Sequence, residues 1–285
     1  MKKLMLCMVA IAALSSQSIF AQDVPSGKGI YFKVNGGYNF AISNSQHSLY
    51  ETPIVIASST PFWNITETTG DDQYEVIDVN LGKGLNFGGT FGYMFNDRFG
   101  AELTVDYLMG SKTEAKHRET SGEETIQKLY SKMIQIKPTF VLSGGYSKVN
   151  PYAKFGAIIG SGKIFEEYTN TGGGSTYEAK AEAKGGIAFG FHAGIGINFG
   201  LTSNLSLFGE LNMNNLSYAP EKGKLTKFIE NGVDQMSTLD VNEREYQYSD
   251  NPNLNSSNPN QPSQGPKTSY NFGTLGINIG LKYSL

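Results

Sequence analysis

Cysteine is almost missing from this chain. Its 285 residues include one, Cys7, inside an N-terminal apolar run and preceded by Leu6 rather than by the small residue that a lipid-attachment site needs. Cleavage of that run leaves a chain unable to form a disulfide or a thiolate metal site. Charge is sparse, at 17% of residues, with a formal net charge of -3 and a pI near 5.7. No basic patch marks a nucleic-acid partner. Histidine is limited to His47, His117 and His192, and no cofactor-binding motif is apparent. After the first residues, no apolar run approaches the ~18 residues that a membrane helix requires. Such a chain crosses a bilayer with strands or not at all.

The N-terminus reads as an export signal. Lys2 and Lys3 precede an apolar core over Leu4 to Leu14, and a short polar stretch leads to a cleavage point after Ala21. Residues 1–21 are therefore expected to be removed, leaving 22–285 as one domain. That domain is rich in glycine (34 in the chain) and in Tyr and Phe (16 and 17). A polar, glycine-rich and aromatic-rich mixture suits a barrel with lipid outside and close-packed polar groups within.

Strict alternation is the main signal, because a strand with two different faces has a side-chain period of two. Ile30, Phe32, Val34, Tyr38, Phe40 and Ile42 share a face, opposite Tyr31, Lys33, Asn35, Gly37 and Asn39. Similar apolar faces run through Leu85–Phe95, Phe99–Met109, Ile134–Leu142, Ala153–Ile159, Ile187–Phe199, Leu205–Met213 and Leu275–Leu285. Phe208 breaks the pattern of its run. The polar faces carry glycine, Asn and Thr with few charges, too little charge for a water-facing surface. This favours a membrane barrel over a soluble β-sandwich or lipocalin-like barrel, in which the apolar face would point inward.

The connections alternate between long and short. Ser43 to Gly84, Ser111 to Gln127, Ser161 to Gly185 and Asn214 to Tyr270 are long; Asn96–Arg98, Ser143–Asn150 and Thr202–Asn204 are short. Four long segments and three short ones, with both termini on one side, predict an all-β, eight-stranded antiparallel up-and-down transmembrane barrel with short periplasmic turns and long extracellular loops. The second and sixth strands open similarly, with Gly84-Leu85-Asn86-Phe87-Gly88 and Gly186-Ile187-Ala188-Phe189-Gly190; shared hairpin geometry explains the likeness.

These features together make the chain resemble the outer-membrane β-barrel proteins common in Bacteroidota and, more broadly, the small barrels typified by the OmpA transmembrane domain, OmpX and OmpW. The resemblance covers about Gly29 to Leu285. It implies an outer-membrane location, contact with outer-membrane lipid, and recognition by the barrel-insertion machinery through the last strand. Ile277, Ile279, Leu281, Tyr283 and Leu285 occupy the alternating positions of that C-terminal signal, which in the family usually ends in Phe. The chain stops at the barrel, so the wall-tethering role of full OmpA-type proteins is not implied.

Parity places Lys33, Glu102, Asp106, Lys137, Lys154, Glu210 and Lys282 in the lumen, mostly in its periplasmic half. An eight-stranded barrel is narrow enough for side chains to fill, and buried charges must be paired. These residues are thus expected to form a mixed-charge plug; the alternative is a porin-like ion pathway or an OmpW-like route for small hydrophobic molecules, with Pro138 marking a lateral exit. Barrel enzymes need a His beside a Ser or an acid, but parity puts His192 mid-strand among glycines, so no enzyme activity is expected. The long loops, with Trp63 and the Asn/Pro/Ser tract of Asn251 to Lys267, are solvated tips or a contact surface for a host or cell-surface ligand. The first reading is a structural or surface-display protein for envelope integrity or adhesion.

Overall fold

A computed structural model describes residues 28–42, 63–66, 73–146, 148–253 and 258–285. The expected export signal, its cleavage point and His47 lie outside the described residues. In chain order the strands are β1 (Gly29–Ala41), β2 (Trp63–Thr66), β3 (Gln73–Val76), β4 (Gly84–Met94), β5 (Phe99–Gly110), β6 (Thr113–Arg118), β7 (Glu124–Ser143), β8 (Val149–Gly172) and β9 (Ser175–Lys184). They continue as β10 (Ala188–Gly200), β11 (Leu205–Tyr218), β12 (Lys222–Glu230), β13 (Val233–Asp234), β14 (Glu245–Ser249), β15 (Ser263–Pro266), β16 (Tyr270–Asn271) and β17 (Thr274–Ser284). A single helical turn, α1 (Val241–Arg244), precedes β14.

All 17 strands of the described residues belong to one sheet. Antiparallel ladders join β1 to β4, β4 to β5, β5 to β7, β7 to β8, β8 to β10, β10 to β11, β11 to β17, and β17 back to β1. Closure leaves the ring without a free strand edge, the condition for strands to sit in lipid, apart from a short break in the β7–β8 ladder at Lys137 and Pro138. Alternation fixes the faces: Phe32, Phe91, Leu103, Phe140, Phe191, Leu211 and Ile277 are exposed on the outside, whereas Lys33, Thr90, Glu102, Lys154 and Asn212 are buried inside.

Three tight connections close one end of the ring. Asn96 Oδ1 accepts from the backbone N–H of Arg98 and Phe99, both at 2.9 Å. Thr202 Oγ1 accepts from Leu205 N at 3.1 Å, and Asn204 Nδ2 donates to Ser284 O at 2.8 Å, tying the last strand to a turn. Such side-chain bonds stand in for backbone partners in Asx- and ST-turns.

The other end departs from the sequence reading. The segments read as loops form further strands, so the sheet holds 17 among the described residues. Residues 111–127 contain β6 and the start of β7, 161–185 continue β8 and form β9, and 214–270 extend β11 and supply β12 to β16. The apolar outward faces end before the strands do; the ladder continues beyond, because the backbone still needs partners where the outward face meets water. Between β9 and β10 two residues of β8 face three of the neighbouring chain, since Lys163 pairs with Lys184 but Gly160 with Ala188. Gly185 and Gly186 absorb this bulge at φ 89° and 75°, and side-chain parity flips, so that Ala183 below and Ala188 above the bulge in sequence both point inward.

Candidate functional site

The ring interior holds three tiers. Nearest the tight turns, Lys33 and Glu102 form a buried ion pair, and Lys154 Nζ lies 3.6 Å from Glu102 and 2.8 Å from Glu210. Tyr31 and Tyr152 each donate to one of these carboxylates, Glu102 at 2.8 Å and Glu210 at 2.9 Å. Lys33 also stands over the Tyr152 ring at 4.5 Å. A separate pair, Lys137 and Asp106 at 2.7 Å, sits one step higher. Six residues expected in the charge network are therefore brought together.

Lys282 is the exception. It lies directly opposite Lys33 in the ladder and 4.1 Å from the Tyr31 ring centroid, with no ion pair among the described residues. Two like charges in register cannot share Glu102 as easily as strands on opposite sides can, so the aromatic face takes the second lysine. Phe208, the break in its strand's pattern, also points inward and lies over Gly280. The glycines of the polar face make room: a Cβ on Gly92 would overlap the Tyr31 ring, and one on Gly88 the Asp106 carboxylate. Between these groups is a cavity of about 10 Å³, room for roughly one water, touching Asp106, Lys137, Lys154, His192 and Glu210.

A neutral polar tier follows. Asn86 donates to Asn39 at 3.0 Å and Asn214 donates to Thr274 at 3.3 Å, while the Thr90 and Thr104 hydroxyls, 2.8 Å apart, lie lower, at the level between Glu102 and Asp106. His192 lines the cavity; its Nδ1 lies 2.8 Å from Asn214 Oδ1, while Nε2 is buried without a hydrogen-bond partner among the described residues.

The third tier was missed from the sequence. Leu108, Met133, Ile158, Leu216, Tyr218 and Phe272 are buried inside the ring and continue into an apolar core with Leu129, Ile164, Leu225 and Tyr248. Residues before β4 drop into this mouth: Val79 and Leu81 are buried, Asn80 donates to Gly273 O at 2.8 Å, and Ser131 donates to Leu81 O at 2.5 Å. A signal existed, namely consecutive apolar residues at the same end of each strand (Tyr107-Leu108-Met109, Ala157-Ile158-Ile159). Within this core, on β8 between Leu129 and Ala181, Glu166 is buried. Burial alone pushes its carboxyl up to about 7.

A closed ring with an apolar outside and a polar, charged inside is the arrangement that lipid imposes on strands. The family model of the outer membrane protein beta-barrel domain matches residues 7–242. The chain belongs to this outer-membrane β-barrel family. The barrel sits in the outer membrane, in contact with its lipid. Among solved structures it is similar to OprG from Pseudomonas aeruginosa (14% identity, 92% of this chain and 99% of that one, TM-score 0.42). It is also similar to CarO2 of Acinetobacter baumannii (12%, 90% and 99%, TM-score 0.31) and to Ail of Yersinia pestis (10%, 90% and 99%, TM-score 0.28). No curated protein matches the chain.

On this barrel Ile277, Ile279, Leu281, Tyr283 and Leu285 are all exposed on the outer face of the last strand. His117 lies in β6, remote in sequence from the lumen histidine, and its strand pairs with β2 and β7 outside the ring. Among the described residues, no group of three or more His, Cys, Asp or Glu could hold a metal.

Proposed function

We propose that the mature chain, residues 22–285 after removal of an export signal over 1–21, is an eight-stranded up-and-down transmembrane barrel with a structural and surface-display role. The tight turns face the periplasm and the strand-rich extension faces outward. The lumen is sealed, and the C-terminal strand presents Ile277, Ile279, Leu281, Tyr283 and Leu285 to the insertion machinery. The extension offers the surface for adhesion or envelope contacts, host ligands included. We assign no catalysis: His192 meets an amide rather than a Ser or an acid.

The observation that carries this reading is the cross-linked charge cluster. Lys33, Glu102, Lys154 and Glu210 come from four strands, β1, β5, β8 and β11, and bridge the lumen from wall to wall. An ion crossing the lumen would have to separate these pairs in a site where charges are costly to strip. Planar-bilayer recording tests it: the wild type is expected to be silent, and Lys137→Ala with Lys154→Ala to open measurable conductance. Regular wild-type steps would instead make the charges the lining of a pathway.

A second reading, lateral release of small hydrophobic molecules, has one observation in its favour. The β7–β8 ladder runs to Ile136↔Ile159 and resumes at Thr139↔Gly156, leaving two positions beside Pro138 unpaired, since proline lacks the N–H a ladder needs.

A further inference from the structure

The outward faces of the ring strands carry no charged residue until the apolar band ends, and there lysines form a row across neighbouring strands, with Glu182 beside it and Glu221 next to it held by Lys267 at 3.3 Å. Lys132 on β7 is directly opposite Lys163 on β8, Lys163 is opposite Lys184 on β9, and Lys184 is opposite Lys222 on β12. Four lysines thus stand side by side across four neighbouring strands, a span of about 14 Å at ~4.8 Å per strand. All four are outward and exposed to a large degree. Just below them are the band's last apolar residues, Ile134, Ile159 and Ile187. The flank formed by β11, β17 and β1 ends instead in neutral residues, Asn215, Ser217 and Ile42.

Like charges directly opposite one another destabilise a sheet, and the chain offsets this only in part. Glu182 accepts from Lys163 at 2.9 Å and from Lys184 at 3.1 Å. Lys132 stands over the Phe165 ring at 5.6 Å, and neither Lys132 nor Lys222 has a carboxylate partner among the described residues. An excess of positive charge therefore remains in one line, at the height where apolar tails give way to headgroups.

The geometry points to a binding site for the phosphate groups of an anionic glycolipid in the outer leaflet, with Lys132, Lys163, Lys184 and Lys222 as its ligands. Lysine binds phosphate as a mobile point charge, and the Ile134–Ile159–Ile187 surface beneath the row supplies the contact for acyl chains. The inference rests on the membrane orientation proposed above, but not on a sealed lumen.

The test uses the mature protein folded in phosphatidylcholine vesicles, then transferred to micelles, with diphosphoryl lipid A, its dephosphorylated form and inorganic phosphate as probes. Bound lipid is counted by native mass spectrometry. Wild type is expected to bind the diphosphoryl form at least tenfold better than the dephosphorylated one, and K132Q/K163Q/K184Q/K222Q to lose that preference. Inorganic phosphate is expected not to compete at equal concentration. K132Q/K222Q, which leaves the Glu182 pairs intact, is expected to lose about half the effect and serves if the fourfold variant does not fold. Equal binding of both lipids, an unchanged preference in the variants, or competition by inorganic phosphate would overturn the site while leaving vesicle insertion intact. Failure to insert at all would overturn the membrane orientation and the site with it.

Discussion

The two halves of the lumen are built from opposite chemistry on the same strands. On β5, Glu102 and Asp106 serve the half near the tight turns, and Leu108, two residues further, serves the other. On β8, Lys154 gives way to Ile158 and Ile164; on β11, Glu210 to Leu216 and Tyr218. The lower half lies within the apolar band and is stabilised by directional pairs. The upper half starts at Leu108 and Ile158, level with the last outward apolar residues Met109 and Ile159, and packs like the core of a soluble protein into the strands beyond the band. The contrast shows what each solvent demands. Deep in the band the outer face is already apolar, so interior polar groups must be satisfied by one another; at its edge and above, where water reaches the outer face, the hydrophobic effect returns as a driving force, and an apolar interior is again worth having.

Breaking the lower half should have the largest effect. Glu102→Leu strands Lys33 in the lumen while Lys154 keeps Glu210, with an expected loss of about 3–5 kcal/mol in denaturant unfolding from vesicles. Adding Lys33→Met to Glu102→Leu leaves the Lys154–Glu210 pair balanced, so most of that loss should be recovered. A double variant as unstable as the single one would show that the tier depends on geometry rather than on charge balance.

In the upper half, Leu108→Ala should cost about 2–5 kcal/mol through a cavity that a closed ring cannot collapse around. Here no second substitution to a polar partner should rescue it, which sharpens the contrast with the charged tier. Equal rescue in both halves, measured in the same unfolding assay, would erase the distinction.

The pH response should separate the halves further. The Glu166 carboxyl is raised by burial from 4.5 to about 7. The folded state therefore holds its proton over a range where the unfolded chain has lost it. Stability of the extension is full below about pH 4.5, falls as pH rises toward 7, and levels off above, a total of about 3 kcal/mol. Hydrogen-exchange protection factors of β8, β9 and β14, taken relative to the intrinsic rate at each pH, should fall between pH 5 and 8, and Glu166→Gln should flatten the profile. Unchanged protection in the wild type would mean that Glu166 reaches water.

The smallest effect belongs to the exposed extension. Arg118 and Glu124 pair at 2.7 Å on its outer face, and Arg118→Ala should change stability by under about 1 kcal/mol, with that remnant vanishing at high salt.

Much of the fold was legible because alternation is a local property. Phe32 outside and Lys33 inside follow from neighbouring positions in the chain, and the short turns at Asn96 and Thr202 carry their own side-chain bonds. The strand extensions were not legible, because beyond the apolar band Lys128, Tyr130 and Lys132 alternate with Leu129 and Ser131 in a pattern of mixed polarity. Which charges would be inside was readable from parity; which would pair was not. Lys282 shares parity with Lys33 yet finds an aromatic ring, because only closure of β17 onto β1 brings the two lysines into register.

By itself, then, the sequence determined the period of two, the length of the apolar faces and the side on which each charge falls, since these depend on residues one or two apart. Tertiary structure alone decided the partners: Glu102 with Lys33 and Lys154, Tyr218 with Phe272, Lys163 between Lys132 and Lys184. Each joins strands far apart in the chain, and a ring fixes such meetings only when its last strand reaches the first.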